Sequence, residues 1–201
     1  VRDAVERIVR DGNSSVVYEL AKRATTSQDA VPPSNDDTEE AVSMNLVGEM
    51  TTVEWVTGRE NALLVKEDDD LFEVDERTEA IEVRDGVCGD CDIQKWDLSE
   101  CERLVELVVG SGCVEYVREL RLVGFARLER VVIGANCFCK SDGGCFEVSG
   151  CEKLKRVVVG DGCCVKWSEF VLKDCDSLQE VSVGDGCFVR CEKVVFESEY
   201  C

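Results

Sequence analysis

CERLVELVVGSGC (101–113), FARLERVVIGANC (125–137), CEKLKRVVVGDGC (151–163) and CDSLQEVSVGDGC (175–187) are versions of one phrase, beginning 24, 26 and 24 residues apart. Each carries the apolar frame L-x-x-[L/V]-x-[V/I]-x-x-[G/N]-C. It is filled by Leu104, Leu107 and Val109, then by Leu128, Val131 and Ile133. Leu154, Val157 and Val159 follow, then Leu178, Val181 and Val183. The ninth position holds Gly112, Asn136, Gly162 and Gly186, and the eleventh Val114, Phe138, Cys164 and Phe188. Alternate apolar residues enter an interior from a short strand, and a Gly or Asn then turns the chain away. One such unit cannot bury its apolar face alone, so neighbours must stack.

A second frame, apolar-x-apolar, runs between the copies: Trp96/Leu98, Leu120/Leu122, Phe146/Val148, Phe170/Leu172 and Val194/Phe196. These pairs are 24, 26, 24 and 24 residues apart, in step with the first frame. Period-two alternation predicts extended segments rather than helices. Each repeat therefore reads as two short extended segments joined by turns, with no room for a long helix. A worn repeat begins near Thr78, with Ile81, Val83 and Gly86 in frame. The expected fold is mainly β, a solenoid of about five rungs over 78–201.

The phrase resembles the strand-and-turn half of a leucine-rich repeat. GCEKLKRVVVGDGC (150–163) and DCDSLQEVSVGDGCF (174–188) are similar to BspA-like leucine-rich repeats in particular, over about 78–196. Cys164 stands where that family has a turn Phe, and residues 139–145 are an insertion. The resemblance implies a parallel sheet on a concave face, with short extended segments on the opposite side. It also implies a non-catalytic role in protein binding, or as a surface-adhesion or regulatory segment of a larger protein. It supplies no catalytic residues and no cofactor.

The flanks read differently. Residues 1–24 carry apolar positions at helical spacing, broken at Asp11-Gly12-Asn13, which predicts a short helical segment. Residues 25–40 hold both prolines and few apolar residues, the composition of a flexible acidic linker. Residues 41–77 read as an N-terminal cap, with Val53/Trp55 and Leu63–Val65 suggesting a hairpin. Glu67–Asp70 lacks the spaced ligands and sharp Gly turn of a calcium loop and reads as a solvated turn. The chain begins without Met and stops at Cys201 inside a repeat, so it reads as a segment, either monomeric or part of a longer chain.

The formal net charge is −20, concentrated in the first half, which disfavours nucleic acid and anionic lipid as partners. No apolar run approaches the roughly 18 residues that would insert in a membrane. There is no His, which removes His-dependent triads, general bases and metal ligands. Cys88-x-x-Cys91 has no second pair of the same spacing to complete a zinc site. The chain is thus expected not to be an enzyme and to hold no metal. Its 14 cysteines fall into repeat slots, with Phe125 sharing the slot of Cys101, Cys151 and Cys175. A slot that accepts Cys or Phe is apolar, so reduced, buried thiols are expected. That points to a cytoplasmic, reducing location, with the cell surface as the alternative.

In each strand the residue between two inward positions points outward. Across rungs these are Glu82, Val108, Val132, Val158 and Ser182, an apolar strip flanked by Glu106, Arg130, Arg156 and Glu180. Val108, Val132 and Val158 with those four charged residues are the candidate contacts for a protein partner. Val also simply suits strands, so the same pattern serves sheet packing.

Overall fold

The alternation predicted for each repeat produces two strands per turn of chain. The computed structural model describes residues 59–89 and 93–197, and the backbone of a strand at Val16–Glu19. In chain order the strands are β1 (Val16–Glu19), β2 (Ala62–Val65), β3 (Ala80–Val83), β4 (Glu106–Val109), β5 (Glu119–Val123) and β6 (Arg130–Ile133). Then come β7 (Cys145–Ser149), β8 (Arg156–Val159), β9 (Glu169–Lys173), β10 (Glu180–Val183) and β11 (Lys193–Glu197). Among the described residues they form a β-solenoid of about five turns with two sheets. The larger runs β1-β10-β8-β6-β4-β3-β2, and the smaller runs β11-β9-β7-β5. Every pairing is parallel except β1 on β10. A 3-10 turn at Asp68–Phe72 is the helical element among the described residues.

Both apolar frames point into one interior. Leu107, Val131, Val157 and Val181 stand in register across β4, β6, β8 and β10, as do Val109, Ile133, Val159 and Val183. Leu104, Leu128 and Leu154 are fully buried, and half-buried Leu178 packs against the same cluster. The second frame aligns across the smaller sheet: Leu120, Phe146, Phe170 and Val194 are direct neighbours. Phe146 and Phe170 stack with ring centres 5.5 Å apart, and Phe188 meets Phe170 edge-on at 4.9 Å. Aromatic pairs of this kind add about 1 kcal/mol beyond the area they bury.

The turn leaving each larger-sheet strand repeats the same pair of left-handed residues. The ninth position is left-handed in every rung, as at Asn136 with φ 58°. The eleventh is left-handed too, although Val114, Phe138, Cys164 and Phe188 are not glycines. That conformation costs roughly 1–2 kcal/mol per side-chain-bearing residue. It is held because it drives the side chain inward: all four are fully buried. Gly134, just after β6, has a different reason to be glycine. A Cβ there would lie 2.7 Å from the Gly110 carbonyl carbon and the Ser111 nitrogen of the preceding turn.

One feature of the flanks differs from the sequence reading. Val16–Glu19 forms a strand, not a helix; the rest of 1–24 lies outside the described residues. Val16, Val17 and Tyr18 are strand-favouring types, and β10 presents an open edge on which their backbone pairs antiparallel. Leu63–Val65 falls in β2, which lies parallel to β3 and adds a strand to the larger sheet before Thr78, while the Val53/Trp55 half of the expected hairpin lies outside the described residues. Val53, Trp55 and the 25–40 linker lie outside the described residues. The acidic run is backbone-capping: the Asp70 carboxylate accepts from the Lys66 and Glu67 N–H groups at 2.8 and 3.1 Å. Those two bonds hold its pKa below the ordinary carboxylate value.

Candidate functional site

The outward face of the larger sheet is built by parallel register. Glu82, Val108, Val132, Val158 and Ser182 lie side by side across β3, β4, β6, β8 and β10. Two residues earlier in each strand, Ala80, Glu106, Arg130, Arg156 and Glu180 form a second row. The seven candidate residues are thus brought together on one face, in two adjacent rows.

Their exposure divides the face in two. Val108, Glu106 and Glu82 are buried, at 4%, 6% and 7% exposure. Val132, Val158, Ser182, Arg130, Arg156 and Glu180 are half-buried and reach solvent. Val108 and Glu106 therefore take the expected positions without offering surface. Burial also raises the Glu82 carboxyl above its ordinary pKa.

Arg130 and Arg156 are direct cross-strand neighbours, a like-charge juxtaposition that is unfavourable by itself. Each pairs outward: Arg130 Nη1 with Glu106 Oε1 at 2.9 Å, and Arg156 Nη2 with Glu180 Oε1 at 3.0 Å. The row reads Glu–Arg–Arg–Glu, compensated at both ends. At the strand entrances Lys155 donates to Glu129 Oε2 at 2.7 Å and lowers the pKa of that carboxyl.

The thiols face the other way. Nine of the twelve described cysteines are buried. The ladder slot does more than fill space. Cys113, Cys137, Cys163 and Cys187 donate to the carbonyls of Arg84, Gly110, Gly134 and Gly160 in the preceding turn, at 2.9, 3.0, 2.9 and 3.0 Å. Cys151 reaches the Leu122 carbonyl at 3.4 Å. Burial pushes the Cys101 thiol up to about 11 and raises Cys164 well above the ordinary value. Thiols so disfavoured as thiolates are poor nucleophiles and poor metal ligands. Cys91 lies outside the described residues, and among the described ones no cluster of His, Cys, Asp or Glu is arranged to hold a metal. No described helix is long and apolar enough to cross a membrane.

The sequence reading missed a groove on the other sheet, of about 850 Å³, between Lys95–Ser99 and the Arg121–Ala126 side of β5. Trp96 and Leu98 were expected to lie in an extended segment of the second frame, and both are buried in the core. Their segment is tied to the neighbouring rung by one bridge, Lys95 to Glu119, and by the Arg118 N–H donating to the Gln94 carbonyl at 2.9 Å. The signal was one residue. Gly124, Gly150 and Asp174 take a left-handed φ just before the next rung, and the residue in that slot of the first rung is Glu100, which does not. Gly124, Gly150 and Asp174 also donate to the Ser149, Lys173 and Glu197 carbonyls, while no bond joins Glu100 N–H to Val123 among the described residues.

Compared with family models, curated proteins and solved structures, the chain matches none.

Proposed function

We propose that this chain is a non-catalytic protein-binding scaffold: a leucine-rich-repeat solenoid of the BspA-like kind, whose larger sheet forms a concave face for a partner protein. The observation that carries the reading is the open half of that face. Val132 and Val158 stand in register there beside the charged row of Arg130, Arg156 and Glu180. An apolar centre with compensated charges at its margin is the composition of a protein interface. Val108 and Glu106, being buried, support the strip from one end, and the contact is centred on β6, β8 and β10. The burial of most described thiols, as small apolar fillers, favours a reducing, cytoplasmic location.

The test is a paired capture experiment. Val132→Glu with Val158→Glu keeps both inward frames and should leave the circular dichroism spectrum unchanged. A binding partner retained by the wild type, and by an Arg190→Glu control on an exposed turn, should be lost from the double variant. Retention by the double variant places the binding surface elsewhere.

A further inference from the structure

The two sheets end differently at the last rung. At β10 the larger sheet is followed by β1, which pairs with it antiparallel. The smaller sheet ends at β11, whose pairing among the described residues is with β9 alone. Lys193 N–H donates to the Ser168 carbonyl, and the Glu197 carbonyl accepts from Asp174 N–H. Lys193, Val195 and Glu197 thus turn their backbone groups toward β9. By the alternation of a parallel ladder, Val194 and Phe196 turn theirs to the outer edge. The interior is open at the same place: Leu178, Cys191, Val194 and Phe196 pack against the core but are only half-buried. At the opposite end the 3-10 turn buries Leu71, and Val65 is fully buried. A strand edge beside an incompletely covered core is a site for an added strand.

The charges of β11 specify which strand fits. Lys193 and Glu197, both exposed, flank half-buried Val195 on the outward side of the strand. Each pairs with its neighbour on β9: Lys193 Nζ with Glu169 Oε2 at 3.1 Å, and Glu197 Oε2 with Lys173 Nζ at 3.8 Å. A strand on the other side of β11 fits best with an acid beside Lys193 and a base beside Glu197. KVVFE (193–197) laid antiparallel on itself supplies both. With Val195 opposite Val195 of a second copy, Lys193 lies opposite its Glu197 and Val194 opposite its Phe196. The outward row then alternates across the two copies as Glu169, Lys193, Glu197, Lys173. The same register sets Val194 and Phe196, whose backbone groups face out, at the hydrogen-bonded positions of an antiparallel pair. A parallel copy would instead set Lys193 against Lys193 and Glu197 against Glu197, which is unfavourable. A one-residue slip would turn Val194 and Phe196 out of phase with the inward residues of the second copy.

We propose that the β11 edge binds a second copy of this chain. The two β11 strands join antiparallel about a two-fold axis at Val195, so that the smaller sheets become one continuous sheet and Val194 and Phe196 of each copy cover the open interior of the other. This contact lies on the edge of the smaller sheet and leaves the outward face of the larger sheet free.

The experiment is sedimentation equilibrium of the full 201-residue chain over a concentration series, which should show a monomer–dimer equilibrium. Lys193→Glu sets like charges opposite each other at both symmetry-related pairs and should weaken dimerisation roughly tenfold, as should Glu197→Lys. The pairs that these changes break within one copy are exposed, so circular dichroism should be unchanged. An equimolar mixture of the two single variants brings opposite charges together again. It should form a heterodimer within about threefold of the wild-type strength, counted by native mass spectrometry with one variant isotope-labelled. A merely destabilised fold would not be rescued by mixing. Lys153→Glu, the same charge change on an exposed turn, should alter dimerisation less than about twofold. A chain that stays monomeric up to millimolar concentration overturns the proposal, as does assembly that continues past the dimer. So do single variants that dimerise like the wild type, or a mixture that associates no more tightly than its components.

Discussion

The Cys137 thiol donates to the carbonyl of Gly110 at 3.0 Å, 27 residues back and one turn of the solenoid away. The same bond recurs at Cys113, Cys163 and Cys187. Cysteine is used here both as a small apolar body and as a weak donor to a turn carbonyl. The two roles separate by substitution. Cys137→Val keeps the apolar bulk and removes the donor, and should cost about 1–3 kcal/mol in urea unfolding. Cys137→Ser keeps a donor in a smaller side chain and should cost less than Cys137→Val. A valine variant as stable as the wild type leaves filling as the whole role.

Gly134 and Gly112 differ in why they are glycine. A Cβ on Gly134 meets the backbone of the preceding turn at 2.7 Å, while one on Gly112 meets nothing within 4 Å. Gly134→Ala must push two rungs apart and should cost roughly 3 kcal/mol or more. Gly112→Ala pays only for a left-handed alanine at φ 65°, about 1–2 kcal/mol. Thermal melting of the two variants should order them accordingly.

Burial of Cys101 gives stability a pH dependence in the alkaline range. Its folded pKa, about 11, stands above the ordinary thiol value of 9.0. The folded state therefore holds its proton more tightly than the unfolded one. The resulting stabilisation is present below about pH 9 and is lost as pH rises toward about 11. Urea midpoints measured at pH 7.5, 9 and 10.5 should fall, and Cys101→Ala should show a shallower fall from a lower start. In the native state at pH 7.5 the buried thiols should resist iodoacetamide, and denaturation should release them.

Glu106 and Arg130 test whether the charged row is structural. Glu106 is 6% exposed and its partner is half-buried, so Glu106→Gln leaves Arg130 with a weakened partner in a poorly solvated site. The expected cost is about 1–3 kcal/mol. Glu119→Gln, in the solvent-exposed pair with Arg121, should cost less than about 1 kcal/mol. Chemical denaturation of both variants, with each matching Arg variant and double variant, yields the pair energies directly.

Much of the fold was legible because its cause is periodic. Leu107, Val131, Val157 and Val181 recur at the rung spacing, and the structure stacks them as direct neighbours. The second frame foretold the smaller sheet for Leu120 through Phe196 in the same way. At Trp96 and Leu98 the inward alternation holds, but pairing with β5 stops at one bridge, and the turn at Glu100 lacks the left-handed conformation of its counterparts. The candidate face was legible as to which residues align, since outward positions follow from the pleat. It was not legible as to which of them reach solvent.

By itself the sequence determined the rung: two extended segments per repeat, their inward residues, the turn positions and the thiol slots. All of these depend on neighbours within about 26 residues, and local periodicity encodes them. Only the tertiary structure decided that Val108 is buried while Val132 is half-exposed, that β2 extends the larger sheet, that Val16–Glu19 pairs with β10, and that the smaller sheet opens beside β5. Accessibility and edge pairing are set by whichever segment comes to lie alongside. A repeat contains no information about what occupies the space beyond its own neighbours.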